Sequence, residues 1–169
     1  MQELGFSLET LPEITLLYAG GERAHQNAQA VQQNWFDAFG IRVKLESTER
    51  KVYFDRVAKQ DYALAVGSWI ADYNDPINFL EVFKYATAST NNTLWENGEY
   101  ARLLDESKIL SDPVQRKAVL QKCEQLLIDE MPILPVFYYT MVYMNNEKIK
   151  DVVLTTTGHL DFKWAHVEE

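Results

Sequence analysis

Ile14-Thr15-Leu16-Leu17-Tyr18-Ala19-Gly20-Gly21 opens the stretch whose reading decides the fold. An uncharged, largely apolar run that stops at paired glycines reads as a strand followed by a turn. Beyond the turn, apolar residues fall at Ala24, Ala28, Val31, Trp35 and Phe39. Steps of three and four place them on one face of a helix, and Gly40 stands at the C-terminal position that favours glycine. Ile41-Arg42-Val43-Lys44-Leu45-Glu46 alternates apolar and polar residues, the pattern of a half-buried strand. Glu49 to Lys59 reads as a second helix, capped by Ser47 or Thr48. Tyr62-Ala63-Leu64-Ala65-Val66-Gly67 is an uninterrupted apolar run, which predicts a strand covered on both faces. Residues 14–67 therefore spell β-α-β-α-β, and the fold class is α/β with a parallel sheet and right-handed crossovers.

Outward from that unit the chain becomes helical and then β. Asp75-Pro76 sets a capping carboxylate before a proline at the first helical position, opening a short helix through Phe83. Lys84 to Glu96 is polar and aromatic without a period, hence a loop. Tyr100, Leu103, Leu104, Ser107 and Leu110 line one helix face, and Asp112-Pro113-Val114-Gln115 starts a longer helix reaching Asp129. Pro132 and Pro135 bracket an extended apolar strip, Ile133 to Met144, for which Lys148 to Thr157 is the expected hairpin partner. Phe162-Lys163-Trp164-Ala165 closes the chain.

The whole sequence has 169 residues, 47% of them hydrophobic, enough for a packed core in one ordinary domain or two small ones. With 16 basic against 25 acidic residues, the formal net charge is −9. That balance disfavours nucleic acid as a partner, because affinity for phosphates rests on clustered Lys and Arg. Cys123 is the single cysteine, which excludes an intrachain disulfide and a thiolate metal cluster, and its helical surroundings predict a buried structural thiol. No run reaches the ~20 apolar residues of a helical membrane span, and the first residues lack a basic-then-apolar signal pattern.

Enzyme readings find little support. His25, His159 and His166 lie far apart and match no metal-ligand spacing. Gly67-Ser68-Trp69 lacks the second half of a nucleophile elbow, and Gly20-Gly21 is too short for a phosphate-binding loop. No catalytic group, cofactor or metal is expected.

The informative stretch is Gly67-Ser68-Trp69-Ile70-Ala71-Asp72-Tyr73-Asn74-Asp75-Pro76, which follows the third strand. In open α/β sheets the ligand crevice lies at the carboxyl ends of the strands. Trp69 and Tyr73 could wall such a crevice, and Asp72 beside them suits a ligand carrying a cation, such as a free amino terminus. The alternative is that Trp69 packs in the core and Asp72 merely begins a turn.

The run Trp69 to Pro76, followed by Phe79-Leu80, resembles the signature of the oligopeptide-binding proteins, the extracytoplasmic solute-binding subunits of ABC-type peptide importers. Further pieces are similar in the same order: Ile14 to Tyr18, Val31 to Trp35 with Gly40-Ile41, Tyr62 to Ala65, Arg116, Pro132 to Tyr139, and Asp161 to Ala165. The resemblance extends from Leu11 to Val167. It implies a periplasmic-binding-protein-like lobe with a C-terminal β tail, excised from a longer two-lobed chain, with Met1 an added start. The implied organisation is a linker over 1–12, a C-terminal ligand-binding lobe over 13–140, and a tail over 141–169 that returns to the missing N-terminal lobe.

The resemblance also implies a site. Asp72 would pair with the ligand's α-ammonium, Ser68-Trp69-Ile70 would run beside an extended peptide and exchange main-chain hydrogen bonds with it, and Ala71 between them belongs to the same ligand-binding stretch. Tyr73 and Asn74 are divided between wall and scaffold, while Asp75 reads as a helix cap. The implied partners are an oligopeptide and the permease subunits of an ABC importer, on the periplasmic side or as a membrane-anchored lipoprotein. The alternatives are a related binder of dipeptide, nickel complex, haem or sugar, and the sensing lobe of a transcription regulator. Apolar residues in the tail predict that it either folds back onto its own lobe or pairs with a second copy as a homodimer of the excised chain, edge-strand dimerisation being favoured.

Overall fold

The computed structural model describes Ser7 and residues 10–140, 142–155 and 157–168. The expected linker over 1–12 falls largely outside these residues, as does Met141, where the expected tail begins. The chain divides into two compact units, Met1–Ser68 and Trp69–Glu169.

In the first unit the elements run β1 (Ile14–Ala19), α1 (Glu22–Phe39), β2 (Val43–Thr48), α2 (Arg50–Ala58) and β3 (Leu64–Ala65). The sheet has the order β2-β1-β3, and both pairings are parallel, with Leu16 opposite Leu45 on one side and Leu64 on the other. β1 is thus the central strand, and Leu16, Leu17 and Tyr18 are all buried. Alternation along it serves two small cores. Leu16 and Tyr18 pack with Ala28 of α1 and Val43, whereas Leu17 packs with Tyr53 and Val57 of α2. The chain steps from β1 to β2 and then back past β1 to β3, so a constant crossover hand puts the two helices on opposite faces.

Three details differ from the sequence reading. β3 pairs over Leu64–Ala65, extended by the Val66 amide donating to the Leu17 carbonyl at 2.8 Å, and its side chains are half-buried. It lies at the edge of the sheet, with β1 on one side, and both of its faces are covered as expected: Leu64 packs on the α1 core and Ala65 on the α2 core. The cap of α2 is Glu49, whose carboxylate accepts from the Lys51 and Val52 amides. Ser47 and Thr48 are committed to β2, and the Thr48 carbonyl accepts from the Gly20 amide at 2.7 Å. Phe39, at the end of the apolar face of α1, is exposed, while Gly40 ends that helix at φ 71° and donates its amide to the Phe36 carbonyl.

The second unit holds α3 (Ile77–Leu80), a 3-10 turn at Glu81–Phe83, α4 (Gly98–Ile109) and α5 (Pro113–Glu130). Its core joins Ile77 and Leu80 to Tyr100, Leu103 and Leu104 of α4 and to Val119, Leu120, Cys123 and Leu127 of α5. The predicted face of α4 is the buried one, Leu110 at its end being partly buried. The Tyr100 hydroxyl, fully buried, donates to the Leu80 carbonyl at 2.7 Å. Cys123 is free and buried, and burial pushes its thiol up to about 11.

The loop over 84–97 is ordered from within. Asn91, itself buried, donates to the Tyr85 and Trp95 carbonyls and accepts from the Thr93 amide and hydroxyl.

The tail departs from expectation. Ile133 to Met144 forms no strand among the described residues. β4 (Ile149–Lys150) pairs antiparallel with β7 (His166–Val167), and β5 (Val153–Leu154) with β6 (Leu160–Asp161). The near reversal at Gly158, φ 82°, brings the Thr155 amide to the His159 carbonyl at 2.8 Å. A local hairpin closes with less loss of chain entropy than pairing back to 133–144. Tyr138 and Met144 are left 96% and 97% exposed.

Candidate functional site

Ser68 ends the first unit, beyond Gly67 and the short edge strand, and is exposed. Trp69 to Asn74 begin the second unit outside any helix or strand, the chain bending from Asp72 onward. Every residue from Gly67 to Asn74 is exposed except Ala71, which is half-buried. Trp69 at 40% and Ile70 at 70% exposure are a large apolar surface for adjacent positions. The reading of Trp69 as a core residue is thereby excluded.

What shapes this segment is a side chain that sequence reasoning missed. Asn78, in the first turn of α3, accepts with one oxygen from two donors, the Trp69 indole Nε1 at 3.0 Å and the Asp72 amide at 3.1 Å. Its Nδ2 faces the Asp72 Oδ2 at 3.5 Å, a contact at the outer limit of a hydrogen bond. Asp72 is exposed and forms no ion pair among the described residues. An indole and a carboxylate three positions apart are thus held by one carboxamide, and both keep surface open to solvent. Tyr73 is exposed beside them, and Asn74 lies in the following turn.

Asp75 has another task. Its Oδ1 accepts from the Ile77 amide at 2.9 Å, which caps α3 as the sequence predicts. Both of its oxygens also meet Arg116 of α5, Nη1 to Oδ2 at 2.8 Å and Nη2 to Oδ1 at 2.9 Å. The Arg116 guanidinium holds the Asp75 carboxyl below the usual carboxylate range, more than its partial burial raises it. Arg116 Nε donates in turn to the Ser107 carbonyl of α4 at 3.1 Å. Asp75 and Arg116 therefore fix the helix start that carries Asn78. The signal for Asn78 was its place three residues after a capping aspartate, which pattern reading does not single out.

A shallow depression of about 430 Å³ in the first unit, lined by Thr15, Glu46, Arg56 and Asp61, lies away from the strand ends that precede this segment. Arg56 there is already paired with Glu46 at 2.6 Å and Asp61 at 3.0 Å, so it offers no spare charge. No group of three or more metal-ligating side chains occurs among the described residues.

The profile of the bacterial extracellular solute-binding proteins, family 5 Middle, matches residues 1–91. The oligopeptide-binding protein OppA of Bacillus subtilis is 38% identical over 167 residues, covering 98% of this chain and 31% of that protein. The dipeptide-binding protein DppE of the same organism is 37% identical over 155 residues, 92% of this chain and 28% of its own length. Among solved structures, the pheromone receptor PrgZ, described with its mode of peptide binding, superposes with a TM-score of 0.81 at 28% identity, over 99% of this chain and 32% of that one. The chain thus spans less than a third of the length of these relatives, whose names describe binding proteins. A parallel β-α-β-α-β unit, the exposed segment that follows it in sequence and the match over more than half the sequence lead to one conclusion: the chain belongs to the bacterial extracellular solute-binding proteins of family 5.

Proposed function

We propose that this chain is the C-terminal ligand-binding lobe, 13–140, of an extracytoplasmic protein that binds oligopeptides and delivers them to an ABC importer. Residues 141–169 are then the tail that returns to the N-terminal lobe. The observation that carries the reading is Asp72: an exposed carboxylate without an ion pair among the described residues, held beside an exposed indole in the segment that follows the parallel β-α-β-α-β unit in sequence. A carboxylate so placed meets a ligand ammonium, and Ser68-Trp69-Ile70, outside any strand, offers main chain to an extended peptide. Contacts of that kind are blind to side chains and fit broad acceptance of peptides. The relatives named for oligopeptides and dipeptides support the same class of ligand.

A binder of another solute remains the second reading, since one relative is described as a probable deoxycholate-binding periplasmic protein. The free carboxylate of Asp72 favours an amine-bearing ligand over an anionic one. The partners are the permease subunits of the importer, and the location is the periplasm or the outer face of the membrane with a lipid anchor. The sensing lobe of a transcription regulator would instead stand behind a DNA-binding domain.

The test is calorimetry on the natural full-length protein with Asp72→Asn, which keeps the shape and removes the charge. A charged hydrogen bond is worth about 1.5–3 kcal/mol, so affinity for a free-amino peptide drops roughly 10- to 150-fold. N-acetylated peptides bind the wild type poorly and are insensitive to the change. An unchanged affinity for the free-amino peptide refutes the reading.

A further inference from the structure

A carboxylate on an exposed bend is ordinarily free to adopt several rotamers, and ordering it when a ligand arrives costs affinity. The segment from Trp69 to Asp72 has neither helix nor strand to fix it. It is fixed by one side chain. The Asn78 Oδ1 receives the Trp69 indole N–H and the Asp72 amide at 3.0 and 3.1 Å, so both residues hang from a single acceptor. The other half of the carboxamide is directed by the same geometry toward the Asp72 Oδ2, 3.5 Å away. Asn78 itself does not wander. It belongs to α3, whose neighbouring residues Ile77 and Leu80 are buried in the core and whose start is capped by Asp75.

We infer that Asn78 is the positioning residue of this site: its carboxamide presents the Trp69 wall and the Asp72 acid to the ligand as one preformed unit. This rests on the proposed role of Asp72, and the ligand sees Asn78 through Asp72 and Trp69. Two donors on one oxygen also couple the pair. Losing that oxygen releases the indole and the Asp72 amide together, and with the amide the direction in which the carboxylate points. An aspartate at the same position retains an acceptor for both donors, whereas alanine removes it.

The experiment has a ligand-free arm and a binding arm. In the ligand-free arm, the side-chain Nε1–H resonance of Trp69 is followed by NMR in the 169-residue chain. Asn78→Ala shifts it and speeds its exchange with water, while Asn78→Asp, which keeps an acceptor for the indole, keeps that exchange slow. In the binding arm, the natural full-length protein is titrated with trialanine and with N-acetyl-trialanine. Asn78→Ala weakens trialanine binding roughly tenfold, and adding it to Asp72→Asn costs less than it does alone. N-acetyl-trialanine, which has no ammonium for Asp72, loses less than trialanine on Asn78→Ala.

A Trp69 signal unmoved by Asn78→Ala overturns the inference, and so does a loss for trialanine that adds fully to that of Asp72→Asn. If Asp72→Asn leaves trialanine binding unchanged while Asn78→Ala moves the Trp69 signal, the ligand role of Asp72 has failed and the inference falls with it. If Asp72→Asn weakens binding and Asn78→Ala does not, the inference alone has failed.

Discussion

Arg116 grips Asp75 through both carboxylate oxygens, at 2.8 and 2.9 Å, across 41 positions of sequence. The two-point geometry fixes the guanidinium plane, and its Nε reaches the Ser107 carbonyl at the same time. One side chain of α5 therefore ties together the start of α3, the last turn of α4 and its own helix.

Replacing Arg116 by alanine removes those bonds and leaves Asp75 with its cap alone. Both side chains are 28% exposed, so water takes up part of the loss. The expected destabilisation is about 1–3 kcal/mol, read as a lower urea midpoint with an unchanged slope. A midpoint equal to that of the wild type contradicts it.

The same pair sets an acid limb. Arg116 lowers the folded pKa of Asp75, so its contribution is complete above the ordinary carboxylate range and is lost as pH falls through the lowered value. Urea midpoints measured from neutrality into acid fall less steeply for Arg116→Ala than for the wild type. Parallel curves for the two proteins count against the assignment.

Cys123 makes a third case. It is buried in the core of the second unit with its thiol raised to about 11, so it is neither accessible nor ionised near neutrality. A thiol reagent at pH 8 modifies the native chain at the rate of its unfolding and the urea-unfolded chain at once. Rapid modification of native protein shows that the packing is looser than described.

On the proposed reading, the isolated 169-residue chain holds one wall of the site. Two-lobed binders exclude water by closing on the ligand, and a single wall leaves the ligand's charges solvated. Its affinity for trialanine is no better than about millimolar. An NMR titration that gives micromolar binding shows that this lobe suffices.

The tail provides a fifth test. Trp164 and Leu154 are exposed, and the short β5–β6 pair has open edges. Exposed apolar residues beside free strand edges drive self-association, and light scattering of the chain at high concentration is expected to show a dimer that Trp164→Asp and Leu154→Lys dissolve. A monomer at every concentration contradicts this.

The β-α-β-α-β unit was legible because its strands and helices differ in period and its helix breaks at Gly40. What periodicity does not carry is neighbourhood. An apolar run such as Tyr62 to Gly67 looks alike at the centre of a sheet and at its edge, and β3 is at the edge. Ser47 and Thr48 are better caps than Glu49 by residue type, yet strand pairing claims them first. The exposed bend with Asp72 was legible from residue type and position. Asn78 was not, because one acceptor serving two donors leaves no pattern in a sequence.

Asn91 shows how far a single buried amide reaches. Four hydrogen bonds radiate from it to Tyr85, Thr93 and Trp95, and the Ala86 amide is separately held by Glu96 at 2.8 Å. Exposed loops are where proteases nick a folded chain, because such segments open easily into the extended form that is cut. Here the loop is locked in shape, so the stretch resists nicking for as long as Asn91 stays in place.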